Sequence, residues 1–325
     1  MIKLIHNEMM KILARKRLIV IALITAVLVA LFTYAQYKET LERQEKLGSD
    51  WRAQVQAQIV DISNRLSSSR MSEDLRERLQ ITLKQSQYYL DHDINPTEPG
   101  APSFVRMFIE NAGSMFIPLL VMVVASDLVS SEHTLGSIKL LLTRPVKRWQ
   151  ILLSKYLALI LSISIIIAIV GVLAYLLSGV VFGYRGMNAP IITGFTAQGG
   201  NLDTSEVRLV SQWRFLFMEF GLVWFVAVVV GTLSFMLSVL IRSTAAGMGI
   251  MLAALISGSI LSNMVSSWEF AKYLFMVNLN LTGYLSGVAP PIEGMTLLFS
   301  ITLLFIWWLA SLFVSFLVFT TQDVY

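Results

Sequence analysis

Six long stretches of this sequence carry no charged side chain: residues 18–37, 111–126, 156–184, 220–241, 243–268 and 294–322. An α-helix rises about 1.5 Å per residue, so about 20 apolar residues cross a hydrocarbon core about 30 Å thick. Each stretch is long enough, or nearly so, to do this. Six of them in 325 residues leave little room for a soluble catalytic domain. The expected fold is an all-α integral membrane protein with spans at 18–37, 107–130, 150–183, 214–241, 243–267 and 294–321.

Composition agrees. The chain is 55% hydrophobic and 14% charged, against about 25% charged in an ordinary globular domain. It has no cysteine, which excludes disulfides, thiolate metal sites and thiol nucleophiles. His6, His92 and His133 stand far apart and read as surface residues. No span carries a His/Asp/Glu or Ser/His constellation, so no catalytic, metal or cofactor site is expected. The first apolar run exceeds a signal-peptide core, and Thr33-Tyr34-Ala35 is a poor cleavage site, so it reads as a retained span.

Basic residues set the orientation, because Lys and Arg accumulate in short cytoplasmic loops. Lys3, Lys11, Arg15, Lys16 and Arg17 precede the first span. Lys139, Arg144, Lys147, Arg148 and Lys155 lie around the connection between spans two and three, and Arg242 separates spans four and five. Six spans with an internal N-terminus place all three groups on one side. Both termini are expected in the cytoplasm of a cell-membrane protein. The long segment 38–105, the loop 184–213 and the connection 268–293 then lie outside.

Residues 1–17 read as an amphipathic helix at the membrane interface. Ile2, Ile5, Met9, Ile12 and Leu13 share one face, and the basic residues lie largely away from it. The first span is expected to continue outward as helix to about Leu47, with a break and cap at Gly48-Ser49-Asp50. Val55, Ile59, Ile62 and Leu66 form one helical stripe, and Met71, Leu75, Leu79 and Leu83 a second. Together they predict an extracytoplasmic helical hairpin, read either as a lid or docking element or as a plain solvated cap. The Pro290-Pro291 connection is expected to hold short interfacial or re-entrant helices, which need protein cover.

The segment 131–148 is the most informative. Leu135, Ile138, Leu141 and Leu142 form an apolar stripe, and Pro145 disfavours helix at Arg144. A short cytoplasmic helix between two spans has an apolar face that needs a cover, and a partner's groove supplies one. Glu132, Gly136, the run Leu140, Leu141 and Leu142, Pro145, Arg148 and Lys155 resemble the motif of the ABC type-2 transporter permeases, with Ser137 where that family usually has Thr. The resemblance implies a coupling helix that docks on a separate P-loop ATP-binding subunit through Glu132, Gly136, Leu141, Arg144, Pro145 and Arg148. It also implies two permease subunits, as a homodimer or heterodimer, with two ATPases in a surrounding of membrane lipid and no nucleic acid. The chain has no Gly-Lys pair and therefore no phosphate-cradling loop of its own.

Two further features bear on mechanism. Asp127, near the cytoplasmic end of span two, reads either as a gating or coupling residue paired with a cation or as a solvated end-of-helix acid. Ala245, Gly249, Ala253 and Ser257 repeat every four residues along span five, a spacing that lets helices approach closely, either at a dimer interface or within one subunit. Glu110 and Glu219 read as interfacial acids near Arg106 and Arg214. The expected function is an ATP-driven exporter permease that moves an amphiphilic or peptide-like cargo by alternating access. The alternatives are a membrane sensor or scaffold partnered with an ATPase and, third, a secondary transporter.

Overall fold

A helix that is apolar on every side must be surrounded, and residues 226–235 are buried without interruption. They form the middle of α9 (Gln212–Ile241), around which the other helices pack. The structure is a computed structural model that describes residues 1–67, 71, 73–96, 99–134, 146–198, 201–264 and 268–321. It is mostly helical, and five helices are long and apolar enough to cross a membrane. These are α2 (Arg17–Leu47), α8 (Arg148–Phe182), α9, α10 (Thr244–Met264) and α11 (Leu297–Thr321). The candidate count rises to six if a bent pair, α5 (Ala101–Ala112) with α6 (Phe116–Ala125) and the turns after it, is one span. The chain is a helical membrane protein.

The bend within that pair is 62°, whereas the sequence predicts one straight helix over 107–130. Its cause is local. Gly113 and Ser114 interrupt the helix, and Pro118 in the first turn of α6 has no N–H to offer the Ser114 carbonyl.

α2 buries a narrow stripe, Leu18, Ile21, Thr25, Val29 and Thr33, at helical spacing. Its other faces expose Leu23, Val27 and Leu31, as suits a helix that meets lipid rather than water. Before it, α1 (Ile2–Ala14) turns into α2 at Lys16, which adopts a left-handed φ of 55°. Arg242 makes a similar elbow between α9 and α10, with φ 57°.

At the far end of α2, Gly48 takes φ 77° and the Asp50 carboxylate accepts the Arg52 N–H at 3.0 Å, capping α3 (Trp51–Leu66). α3 packs on α4 (Glu73–Asp91). Val55 and Ile62 of the predicted stripe are buried. In α4 the buried residues are instead Ile81 and Ser86, and Leu75 is 48% exposed. The reason is contact with the rest of the chain. Gln85 Nε2 donates to the carbonyls of Ser286 (3.2 Å) and Gly287 (3.0 Å), and Phe195 packs edge-on to Tyr88 at 5.4 Å.

The predicted loop 184–213 is not wholly irregular. β1 (Pro190–Thr193) pairs antiparallel with β4 (Arg208–Ser211), and β2 (Thr196–Gln198) with β3 (Asn201–Asp203). The all-α expectation therefore needs two small ladders added. Between α10 and α11 the connection forms three short 3₁₀ turns, Glu269–Tyr273, Phe275–Asn278 and Thr282–Tyr284. Asn278 is buried and holds this backbone together. Its amide donates to the Lys272 and Leu274 carbonyls at 2.8 and 2.9 Å, and its carbonyl accepts from Ser300 of α11 at 2.8 Å. Buried irregular backbone here persists because these carbonyls are satisfied within the protein.

Gly258 of α10 lies against this connection. A Cβ there would meet the Met276 backbone oxygen at 2.7 Å, whereas one at Gly221 of α9 would meet nothing within 4 Å. Gly258→Ala is expected to lower stability by roughly 1–3 kcal/mol through overpacking. Gly221→Ala is expected to be neutral or to gain up to about 1 kcal/mol from helix propensity. Thermal unfolding of the two solubilised variants checks this contrast.

Candidate functional site: a buried ion cluster at the start of the spans

α1 is basic, yet its one acid points inward. Glu8 and Ile12, four residues apart, are the two buried residues of the helix. The lysine that meets Glu8 comes from α8. Lys155 lies seven residues beyond Arg148, about 10 Å along that helix, and its side chain is 1% exposed. A bare ammonium there is costly. Its Nζ reaches Glu8 Oε2 at 2.8 Å, Glu132 Oε1 at 2.7 Å and the Leu128 carbonyl at 3.3 Å. Lys11 Nζ completes the group, at 2.7 Å from Glu8 Oε1 and 2.9 Å from Glu132 Oε1. Two carboxylates face two ammonium groups, so the cluster is neutral and its charges are mutually hydrogen-bonded.

Glu132 belongs to α7 (Ser130–Thr134), the short helix that follows α6. Three segments far apart in sequence are thus clamped together: the N-terminal helix, the end of the bent pair and the start of α8. Burial pushes the Glu8 carboxyl up, but Lys155 and Lys11 outweigh burial and hold it below its ordinary 4.5. Burial pushes the Lys11 ammonium down, but Glu8 and Glu132 outweigh it and raise it above 10.5.

A second group adjoins the first. Asp127 is 6% exposed and pairs with Arg15 and with Arg17 Nη2, the latter at 2.8 Å. Thr244, at the start of α10, donates to Asp127 Oδ1 at 3.3 Å and lies 2.7 Å from the Ser130 hydroxyl. Ser238 of α9 accepts the backbone N–H groups of Val129 and Ser130 at 3.2 and 2.9 Å. These contacts carry the clamp to the elbow between α9 and α10. Beside Lys155, Tyr156 hydrogen-bonds Thr232 of α9 at 3.0 Å and accepts the Trp308 indole N–H of α11 at 2.6 Å.

The docking residues predicted from sequence divide into two sets. Glu132 sits in the cluster, and Arg148 opens α8. Gly136, Leu141, Arg144 and Pro145 lie outside the described residues. Asp127 is a buried, cation-paired acid rather than a solvated one. Of the small-residue stripe, Ala245, Gly249 and Ala253 are exposed, while Ser257 is half-buried and donates to the Met276 sulfur at 3.3 Å. Sequence reading missed the pairing of Glu8 with Lys155. The available signals were a lone acid on the apolar face of a basic helix and a lysine within an apolar run.

The family model described as "Protein of unknown function (DUF2705)" matches residues 71–325, and the chain belongs to that family. The chain is similar over its whole length to an uncharacterized protein, YhcI, of Bacillus subtilis (strain 168). The two are 26% identical over 326 residues, which cover 100% of this chain and 99% of that protein. It also resembles an uncharacterized membrane protein, YdbK, of the same organism, at 28% identity over 213 residues, or 65% of this chain and 79% of that one.

Lys155→Met removes the best-buried charge of the cluster and leaves two acids facing Lys11 alone. The expected loss is roughly 3–5 kcal/mol, as for one half of a buried ion pair. Glu8→Gln combined with Lys155→Met should recover part of it, which paired melting curves would reveal. The pH dependence follows from the two shifts. Glu8 contributes stability that is full above its ordinary 4.5 and lost as pH falls through its lowered value. Lys11 contributes stability that is full below 10.5 and lost as pH rises through its raised value. Hydrogen exchange across α1 should therefore be steady from about pH 5 to about pH 10, once corrected for intrinsic rate, and rise sharply in acid.

Proposed function

We propose that this family member is the membrane-spanning subunit of an ATP-driven exporter, powered by a separate P-loop ATPase and working as a dimer. The observation that carries the reading is the clamp of Glu8, Lys11, Glu132 and Lys155. It stands at both ends of the 135–145 segment, whose motif resembles a coupling helix. A push on that segment would enter α7 and α8 together and pass to α1, and through Asp127 and Thr244 to α10. Packed, ion-paired contacts of this kind would pass displacement on as rigid-body movement rather than absorb it locally.

In this reading α1 lies in the cytoplasmic interface, and α5 with α6 forms the second of six spans. The basic clusters face inward, and the α3–α4 hairpin, the strand pairs and the 268–293 connection face out. The exposed Ala245, Gly249 and Ala253 of α10 meet the second subunit. The cargo is amphiphilic or peptide-like, because the faces of α10 and α11 that meet lipid hold few fixed charges.

The absence of native cysteine gives a clean background for labelling. A single cysteine at position 140 should react with an impermeant maleimide only after the membrane is opened. Copurification of a P-loop ATPase with the tagged chain tests the docking. Gly136→Leu and Arg144→Gln are each expected to reduce it at least ten-fold while the amount of protein in the membrane holds. Reaction of position 140 from outside, or unchanged copurification and ATP-dependent export in both variants, would remove the basis of the proposal.

A further inference from the structure

The cavity at the far end of α2 has the features of a second, independent site. Gln36 lies some 19 residues beyond Arg17, or about 28 Å along the helix. That is close to one hydrocarbon thickness from the ion cluster. Here α2, α3, α5 and the end of α8 enclose about 320 Å³, at the small end of the range for ligand pockets. Phe104 and Phe182 line it as a stacked pair with centroids 6.1 Å apart, and Gln36 and Thr40 supply neutral polar groups.

Its charges are unevenly satisfied. Glu39 and Arg43 line the cavity and pair with each other. Arg106 and Glu110 also line it, one helical turn apart on α5, and neither makes an ion pair among the described residues. The Arg106 guanidinium lies over the Phe215 ring at 5.9 Å, and its buried Nε has no hydrogen-bond partner. Glu219 of α9 is 0% exposed, both of its carboxyl oxygens are unpartnered, and its electrostatic neighbours are Glu110 and Arg106. Buried polar groups are ordinarily paired, because leaving them unpaired forfeits their hydration. This corner therefore holds unused hydrogen-bonding capacity of both signs beside an aromatic wall, at the depth where lipid head groups begin.

We propose that this cavity binds the head of a zwitterionic amphiphile, with its phosphate on Arg106, its ammonium on Glu110, and its acyl chain leaving along Phe104 and Phe182. A guanidinium suits a phosphate through paired N–H donors. The primary ammonium has three donors, and the Glu110 carboxylate offers two acceptor oxygens. No step depends on nucleotide coupling, so the site stands whether or not the chain is an exporter subunit.

The test titrates the full chain, in maltoside micelles, with lysophosphatidylethanolamine, lysophosphatidylglycerol and free phosphoethanolamine, read by native mass spectrometry. Lysophosphatidylethanolamine should bind at least ten-fold tighter than lysophosphatidylglycerol, which has the phosphate but no amine. Arg106→Gln and Glu110→Gln should each weaken it about ten-fold or more, as for a lost charged hydrogen bond. Thr40→Trp, which fills the cavity from the opposite wall, should abolish binding without altering the melting profile. Phosphoethanolamine binding at least ten-fold weaker than the lysolipid assigns the ligand to the bilayer. Equal affinities assign the same head-group chemistry to a soluble source. Equal binding of the two lysolipids, or undiminished binding in both charge variants, overturns the proposal.

Discussion

A lysine placed about two helical turns inside an apolar helix is unstable alone, and the Lys155 ammonium is met by two carboxylates and a carbonyl. Neither carboxylate is local. Glu8 comes from a helix outside the main bundle, and Glu132 from the chain leaving α6. The ammonium is fully partnered only if both arrive, so one buried lysine fixes the position of three segments. Desolvation is not fully repaid by attraction in such clusters, and an apolar replacement of equal volume is often as stable. What the ions add is register: the N-terminal helix cannot slide along α8 without separating opposite charges.

The Asp127 group extends that constraint in a softer form. Arg15 and Arg17 are partly exposed and pair with Asp127, while Thr244 meets it with a hydroxyl that in turn bonds the Ser130 hydroxyl. Hydroxyls rotate and exchange partners at little cost. The junction between α9 and α10 is therefore tied to the end of the bent pair by bonds that can be remade. The Lys155 cluster is thus held by buried ion pairs, and the neighbouring junction by hydroxyl contacts.

Much of this architecture was legible in the residues. Apolar run length located α2, α8, α9, α10 and α11, because a helix in hydrocarbon is set by composition over about 20 positions. The stop at Gly48 and the Asp50 cap followed from local chemistry. The bend before Phe116 was harder to read, since Gly113 and Pro118 lie inside an uncharged run whose composition suggests continuity. The α4 stripe was misread because Gln85, Tyr88 and Phe195 select the buried face through contacts more than a hundred residues away in sequence. Glu8 with Lys155 escaped for the same reason: each charge looked anomalous alone, and only tertiary structure joins them. For Asp127 the residues left open a cation-paired or a solvated acid, and its pairing with Arg15 and Arg17 is a tertiary contact.

The buried 3₁₀ connection has a consequence for biogenesis. Its polar backbone is sheltered by Asn278, and Asn278 is anchored by Ser300, which is synthesised later. While the ribosome is still making α11, that stretch lacks its final anchor. The connection can therefore settle only after the last helix is made, which acts as its lock.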